Sequence, residues 1–77
     1  MPRYFFYLSR SGQIIPDPEG TELADISGAR REAFLNARDL IIQTLKRDEP
    51  VPLDDNVLVV DEHGSLLHTV TFKDALG

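Results

Sequence analysis

From Ile26 to about Arg47 one long stretch repeats apolar and small residues at intervals of three and four: Ala29, Ala33, Ala37, Leu40, Ile41 and Thr44, with Phe34 and Leu45 at one margin. That spacing puts them on a single stripe of an α-helix, and a stripe of this kind has to be covered. Asp25 stands where an N-cap is wanted, and Lys46 and Arg47 lie where the helix dipole favours cations. Pro50 and Pro52 then stop the helix and lead through the acidic "LDDN" into the next strand.

The segments on either side have strand character. Tyr4, Phe6 and Leu8 alternate with Phe5, Tyr7 and Ser9, an aromatic run of ordinary strand length that is apolar on both faces. Such a strand belongs in the centre of a sheet, or its second face meets a partner. Ser11-Gly12 supplies a short turn, and Gln13–Ile15 begins a return strand that Pro16 interrupts, with Thr21–Leu23 as its second half. After the helix, Val57–Val60 and Leu66–Phe72 flank "DEHG", where Gly64 can take a positive φ, as a second hairpin. A helix and a sheet with one apolar face each can bury them only against one another. The chain is therefore expected to be an α+β protein of order ββαββ, its two β-hairpins flanking one long helix that packs on one face of an antiparallel-rich sheet.

With 77 residues there is material for one small domain over residues 1–77. Roughly 0.05–0.15 kcal/mol per residue corresponds to about 4–11 kcal/mol of stability, a margin that dimerisation would widen. Thirteen acids against eight bases give a net charge of −5, so neither phosphate backbones nor anionic lipid are drawn to the surface as a whole. No cysteine is present, which removes disulfides and thiolate chemistry and fits a reducing compartment. The apolar run between Arg3 and Arg10 is too short for a signal-peptide core or a membrane span, and the chain reads as cytoplasmic with no membrane partner.

The segment "IPDPEGTELAD", residues 15–25, is the place to look for chemistry. An EF-hand loop needs glycine at its sixth position and a bidentate glutamate at its twelfth. Setting Gly20 sixth puts Ile15 first and Ile26 twelfth, so that only Asp17 and Glu19 agree, too few oxygens for a hard cation. Paired carboxylates do acid–base work when enclosure drives their affinities for a proton apart, and a chain this small has little room for an enclosing cleft. No Ser/His/Asp arrangement, phosphate-binding glycine loop or His-x-x-x-His helix is present, so no catalytic residue, cofactor or metal site is assigned and the protein is not expected to be an enzyme. The residue types fit a connector instead. Asp17 closes an Asx-type turn, the two prolines stiffen the chain, Gly20 takes the conformation others resist, Glu22 reaches towards Arg30 or Arg31, and Asp25 caps the helix.

Two histidines stand apart, His68 on the apolar-leaning face of the last strand with Leu66, Val70 and Phe72, and His63 in a turn, which does not make a zinc site. Leu35 and Ile42 lie two helical turns apart, away from the alanine stripe and alongside Arg31 and Arg38. With Phe5 and Tyr7 on the first strand they form the candidate interaction surface, for a protein partner or for a second copy in a homodimer. Arg30, Arg31 and Arg38 on a helix of an acidic protein, with no aromatic platform beside them, argue against nucleic acid as that partner.

The segments "MPRYFF", "DPEGTELAD", "ARREAFLNAR" and "VVDEHGSLLHTVTFKDAL" together resemble a family of short bacterial proteins known as a domain of unknown function, typical of soil and plant-associated bacteria. The similarity spans nearly the whole chain, and Asp17, Glu19, Gly20, Glu22 and Asp25 carry its loop portion. Members of that family often have histidine where this chain has Tyr7. The resemblance implies the domain boundaries and a bacterial cytoplasmic location, and no particular activity. In layout the chain is also similar to HicB-like antitoxins, in which a compact sheet leads through an acidic, glycine-containing segment into an "A…A…AR" helix. That similarity implies a toxin or enzyme as partner. The function expected is that of a non-enzymatic interaction or regulatory module that self-associates.

Overall fold

The aromatic run near the start of the chain becomes a central strand. The computed structural model describes all residues, Met1–Gly77, in the order β1 (Arg3–Arg10), β2 (Gln13–Ile15), β3 (Thr21–Glu22), α1 (Ile26–Lys46), β4 (Asn56–Val60), β5 (Leu66–Thr71) and α2 (Phe72–Leu76). The sheet is antiparallel at every pairing and runs β2-β1-β4-β5, with β3 against the start of the β1 edge whose end β2 occupies. Ser11 and Gly12 both have positive φ, 51° and 79°, the geometry of a tight turn whose twist matches the strands it joins.

Register decides which side chains share a face. Phe6 lies opposite Val59 and Leu8 opposite Val57, while β5 sets Val70 against Val57 and His68 against Val59. Successive residues of a strand point to opposite sides, so Tyr4, Phe6, Leu8, Val57, Val59 and Val70 make an inner face. Phe5, Tyr7, Leu58 and Val60 make an outer one. The helix α1 covers the inner face, chiefly over β4 and β5. Ala29, Ala33 and Ala37 are wholly buried there, and their small side chains let the helix backbone come close to the valines of β4. Together with Tyr4, Ile41, Phe72 and Ala75 these residues form one core, onto which Phe6, Leu8, Leu23, Leu40 and Val51 pack from the sides. No helix is long and apolar enough to cross a membrane.

Two expectations for the end of the chain need correction. Phe72 does not close the last strand; it opens α2, because the Thr71 hydroxyl accepts the Asp74 N–H at 3.0 Å and caps a helical turn instead. Five residues are too few to show a helical period, and this helix is held by packing, with Phe72 and Ala75 buried against α1. Leu66 does not share a face with His68 and Val70. The ladder shifts between Val59 and Val60, Leu66 comes to oppose Val60, and its side chain is exposed. One extra residue in a strand reverses the facing of everything beyond it.

Candidate functional site

The acidic segment lies along a break in the sheet. β2 pairs with Leu8–Arg10 and β3 with Arg3–Tyr4, which leaves the part of the β1 edge between them facing Pro16–Gly20. A strand amide there needs an acceptor, and Asp17 supplies it. Its Oδ2 accepts the Phe6 N–H at 3.2 Å, while Oδ1 accepts the N–H groups of Glu19 at 3.2 Å and Gly20 at 3.1 Å. One carboxylate thus closes the turn and completes the strand edge, a fuller role than the Asx turn expected of it. Gly20, with φ +72°, is required on two grounds: a Cβ there would lie 2.8–2.9 Å from the Phe5 ring and the Arg3 Cγ. The ring of Phe5 fills the space that the glycine leaves.

The remaining acids of the segment are also placed by backbone geometry. Asp25 caps α1, its Oδ1 accepting the Gly28 N–H at 2.9 Å. Glu22 does not reach Arg30 or Arg31. The β3–β1 register sets it opposite Arg3, whose Nη2 meets its Oε1 at 2.8 Å, while Arg3 Nη1 donates to the Glu19 carbonyl at 2.9 Å. Only the Glu19 side chain extends to solvent without a partner, and no three His, Asp or Glu side chains gather where one metal ion could reach them. The segment is a stiff strand-to-helix connector.

The six residues proposed for interaction fall on two surfaces rather than one. Leu35 and Ile42, each 46% exposed, lie on the solvent side of α1 with Arg31 and Arg38. Phe5 and Tyr7 lie on the outer face of the sheet, with the whole inner layer between. Strand alternation makes this separation unavoidable, since the Tyr4, Phe6 and Leu8 side chains turn to the helix. Arg38 is engaged: its guanidinium sits 5.7 Å from the Phe34 ring centroid and donates to the Ala75 carbonyl at 3.4 Å. Ile42 borders a shallow groove of about 110 Å³ with Leu45 and Leu76, a feature created by the unforeseen α2.

Around Phe5 and Tyr7 the structure adds residues that the sequence pattern did not single out. Tyr7 lies opposite Leu58 and Phe5 opposite Val60, with Ile14 and Leu66 exposed at the two margins. Val60 is only 6% exposed yet stands outside the core cluster, as expected of a residue sheltered by its neighbours on the outer face. The signal was available in "VLVV", which is apolar at both parities, as β1 is. Across this face the charged strand residues are Arg3 and Glu22, which neutralise one another.

A second missed feature is the ion pair between Arg10 Nε and Asp55 Oδ2, 2.6 Å long, in which the Asp55 side chain is 4% exposed. The Asp55 carbonyl also accepts the Phe72 N–H at 2.9 Å, so this residue ties β1 to the start of α2. Its partners lie far off in sequence, and no local pattern marks it.

No curated protein and no solved structure matches the chain. The family described as a domain of unknown function (DUF6894) matches residues 3–73, from the first residue of β1 into the first turn of α2, and the chain belongs to that family.

Proposed function

We propose that this protein is a small non-enzymatic interaction module of the bacterial cytoplasm that self-associates through the open face of its sheet. The observation that carries this reading is one-sided packing: the helices lie on the inner face, and on the other the half-buried Phe5, Tyr7 and Leu58 stand in a row around the sheltered Val60, with Ile14 and Leu66 exposed at the margins. Exposed apolar surface that is contiguous marks a contact site more often than scattered apolar residues do.

A second copy is the occupant that the charges favour. A chain of net charge −5 repels its own kind over most of its surface, and self-contact is least opposed where charge is absent or already paired. The outer face, with its one internal Arg3–Glu22 pair, meets that condition. Four strands ~4.8 Å apart, with ladders rising ~3.3 Å per residue, give a face on the order of 15–20 Å by 20 Å. Two such faces packed together bury roughly 600–800 Å² in total, below the ~1,200 Å² at which standard stable interfaces begin, so a weak, transient dimer is expected. Three of the four acids of the 15–25 segment, Asp17, Glu22 and Asp25, are committed to backbone amides and to Arg3, which supports a structural and not a catalytic use of them.

Sedimentation velocity over a concentration series tests the reading. The weight-average mass should rise from monomer towards dimer, and Tyr7→Glu with Leu58→Glu should hold it at monomer while circular dichroism shows the fold kept. Leu35→Asp with Ile42→Asp, on the far side of α1, should leave the dimer intact. A monomer at every concentration overturns self-association and turns the open face towards a different protein, as the antitoxin-like layout implies.

A further inference from the structure

We infer that the free edge of β5, with the arginine-lined cleft beside it, is a docking site for an extended acidic peptide that joins the sheet as a further strand. This surface is separate from the outer face and does not depend on dimerisation through it. β5 ends the sheet. The Phe72 N–H bonds the Asp55 carbonyl, and in an antiparallel ladder alternate residues turn their amides to the same side. His68 and Val70 are therefore bonded to β4, while the backbone groups of Thr69 and the N–H of Thr71 point outward without a strand to meet them.

Free edges are normally guarded by charge, proline or brevity. At the other side of the sheet β2 spans only Gln13–Ile15, prolines come after it, and Asp17 occupies the Phe6 amide. β5 reads "LLHTVT", with no charged residue and no proline in six positions. Its edge is open to a strand, as sheets that capture peptides require.

The neighbouring side chains select the chemistry of the guest. A cleft of about 340 Å³ between α1 and β5 is lined by Arg30, Arg31 and Phe34 on one side and His68 and Thr69 on the other. Arg3, Arg10 and Arg47 are held in ion pairs and Arg38 is engaged at Phe34 and Ala75, whereas Arg30 and Arg31 have no ion-pair partner. An added strand turns alternate side chains to the inner side, where these two guanidinium groups overhang the edge, so acidic residues at every second position fit. Asp74, in the first turn of α2, lines the same cleft, so the carboxylates of the guest belong beside Arg30 and Arg31 and not beside it. A second copy paired through β5 would bring Arg30 and Arg31 against their own counterparts near a twofold axis at Thr69. The guest is accordingly a different, acidic chain.

The test is an NMR titration of the isotope-labelled protein with a short acetylated, amidated peptide of alternating glutamate and valine. Saturable amide shifts at His68–Thr71 and around Arg30 are expected. Arg30→Ala with Arg31→Ala should weaken binding on the order of three- to tenfold, as two partly solvated ion pairs would. N-methylation of the peptide's edge-facing amides should abolish binding, because the ladder then cannot form. The proposal is overturned if β5 amides do not move, if a lysine–valine peptide binds equally well, or if the double variant binds as tightly as the parent. In the Tyr7→Glu, Leu58→Glu variant, whose outer face is blocked, concentration-dependent shifts at Thr69 without peptide overturn it too, by showing that a second copy takes the edge.

Discussion

Removing the Asp17 carboxylate should unsettle the whole β1 edge. Asp17→Ala deletes the acceptor of three backbone N–H groups, those of Phe6, Glu19 and Gly20. Water can replace it at the more exposed Glu19 amide, so that loss is small. The Phe6 N–H is partly buried in the middle of a strand, and Asp17 is its acceptor where the pairing with β2 and β3 is broken. A partly buried hydrogen bond to a charged group contributes about 1.5–3 kcal/mol, and the turn bonds add a few tenths each, so a loss of roughly 2–3 kcal/mol is expected. Against a stability of roughly 4–11 kcal/mol this is a large fraction. At about 4–8 °C per kcal/mol for a domain of this size, the midpoint should fall by ~10–20 °C. Asp17→Asn keeps one oxygen for the turn but sets an NH₂ near the Phe6 amide, and should recover only about half of the loss. Urea unfolding followed by circular dichroism gives the free energies, and amide exchange at Phe6 reports the site directly. An alanine variant within about 0.5 kcal/mol of the parent, with Phe6 still protected, would falsify the view that this carboxylate completes the strand edge.

Gly20→Ala combines a φ of +72° with a Cβ 2.8 Å from the Phe5 ring, and should cost about 1–3 kcal/mol in chemical denaturation; a neutral result would mean that Phe5 swings away freely. Arg10→Met strands the Asp55 carboxylate in a 4% exposed position. Removing one partner of a buried pair costs roughly 3–5 kcal/mol, reduced to ~2–4 here because Arg10 is itself 41% exposed. Adding Asp55→Asn should restore part of that loss, and a double variant no more stable than Arg10→Met in urea would refute the pairing as the cause.

Much of the fold could be read locally. The Ala29–Ala33–Ala37 period, Asp25 as cap and the prolines beyond Arg47 placed α1 within a residue of its observed end, because helix period and capping act between residues three or four apart. The aromatic alternation of β1 and the Ser11-Gly12 turn were equally plain, since strand facing and turn geometry are properties of neighbours. So was the connector character of residues 15–25, down to Asp17 as turn-former and Gly20 as the residue with positive φ.

What no local pattern contained was which of two equivalent choices each element takes. β1 and β4 are apolar at both parities, and only the arrival of α1 made Phe6 and Val59 core and left Tyr7 and Leu58 outside. Glu22 had arginines available in α1 and in β1, and the strand pairing awarded it to Arg3. The single shift between Val59 and Val60 turned Leu66 outward, and packing against α1 bent "FKDAL" into a helix where a strand was expected to end. These outcomes depend on contacts between residues far apart in the chain, whose free energy exists only once the layers have met. Residue spacing therefore sets the elements and their caps, whereas register, facing and the open edge of β5 are decided by which distant partner arrives to pair.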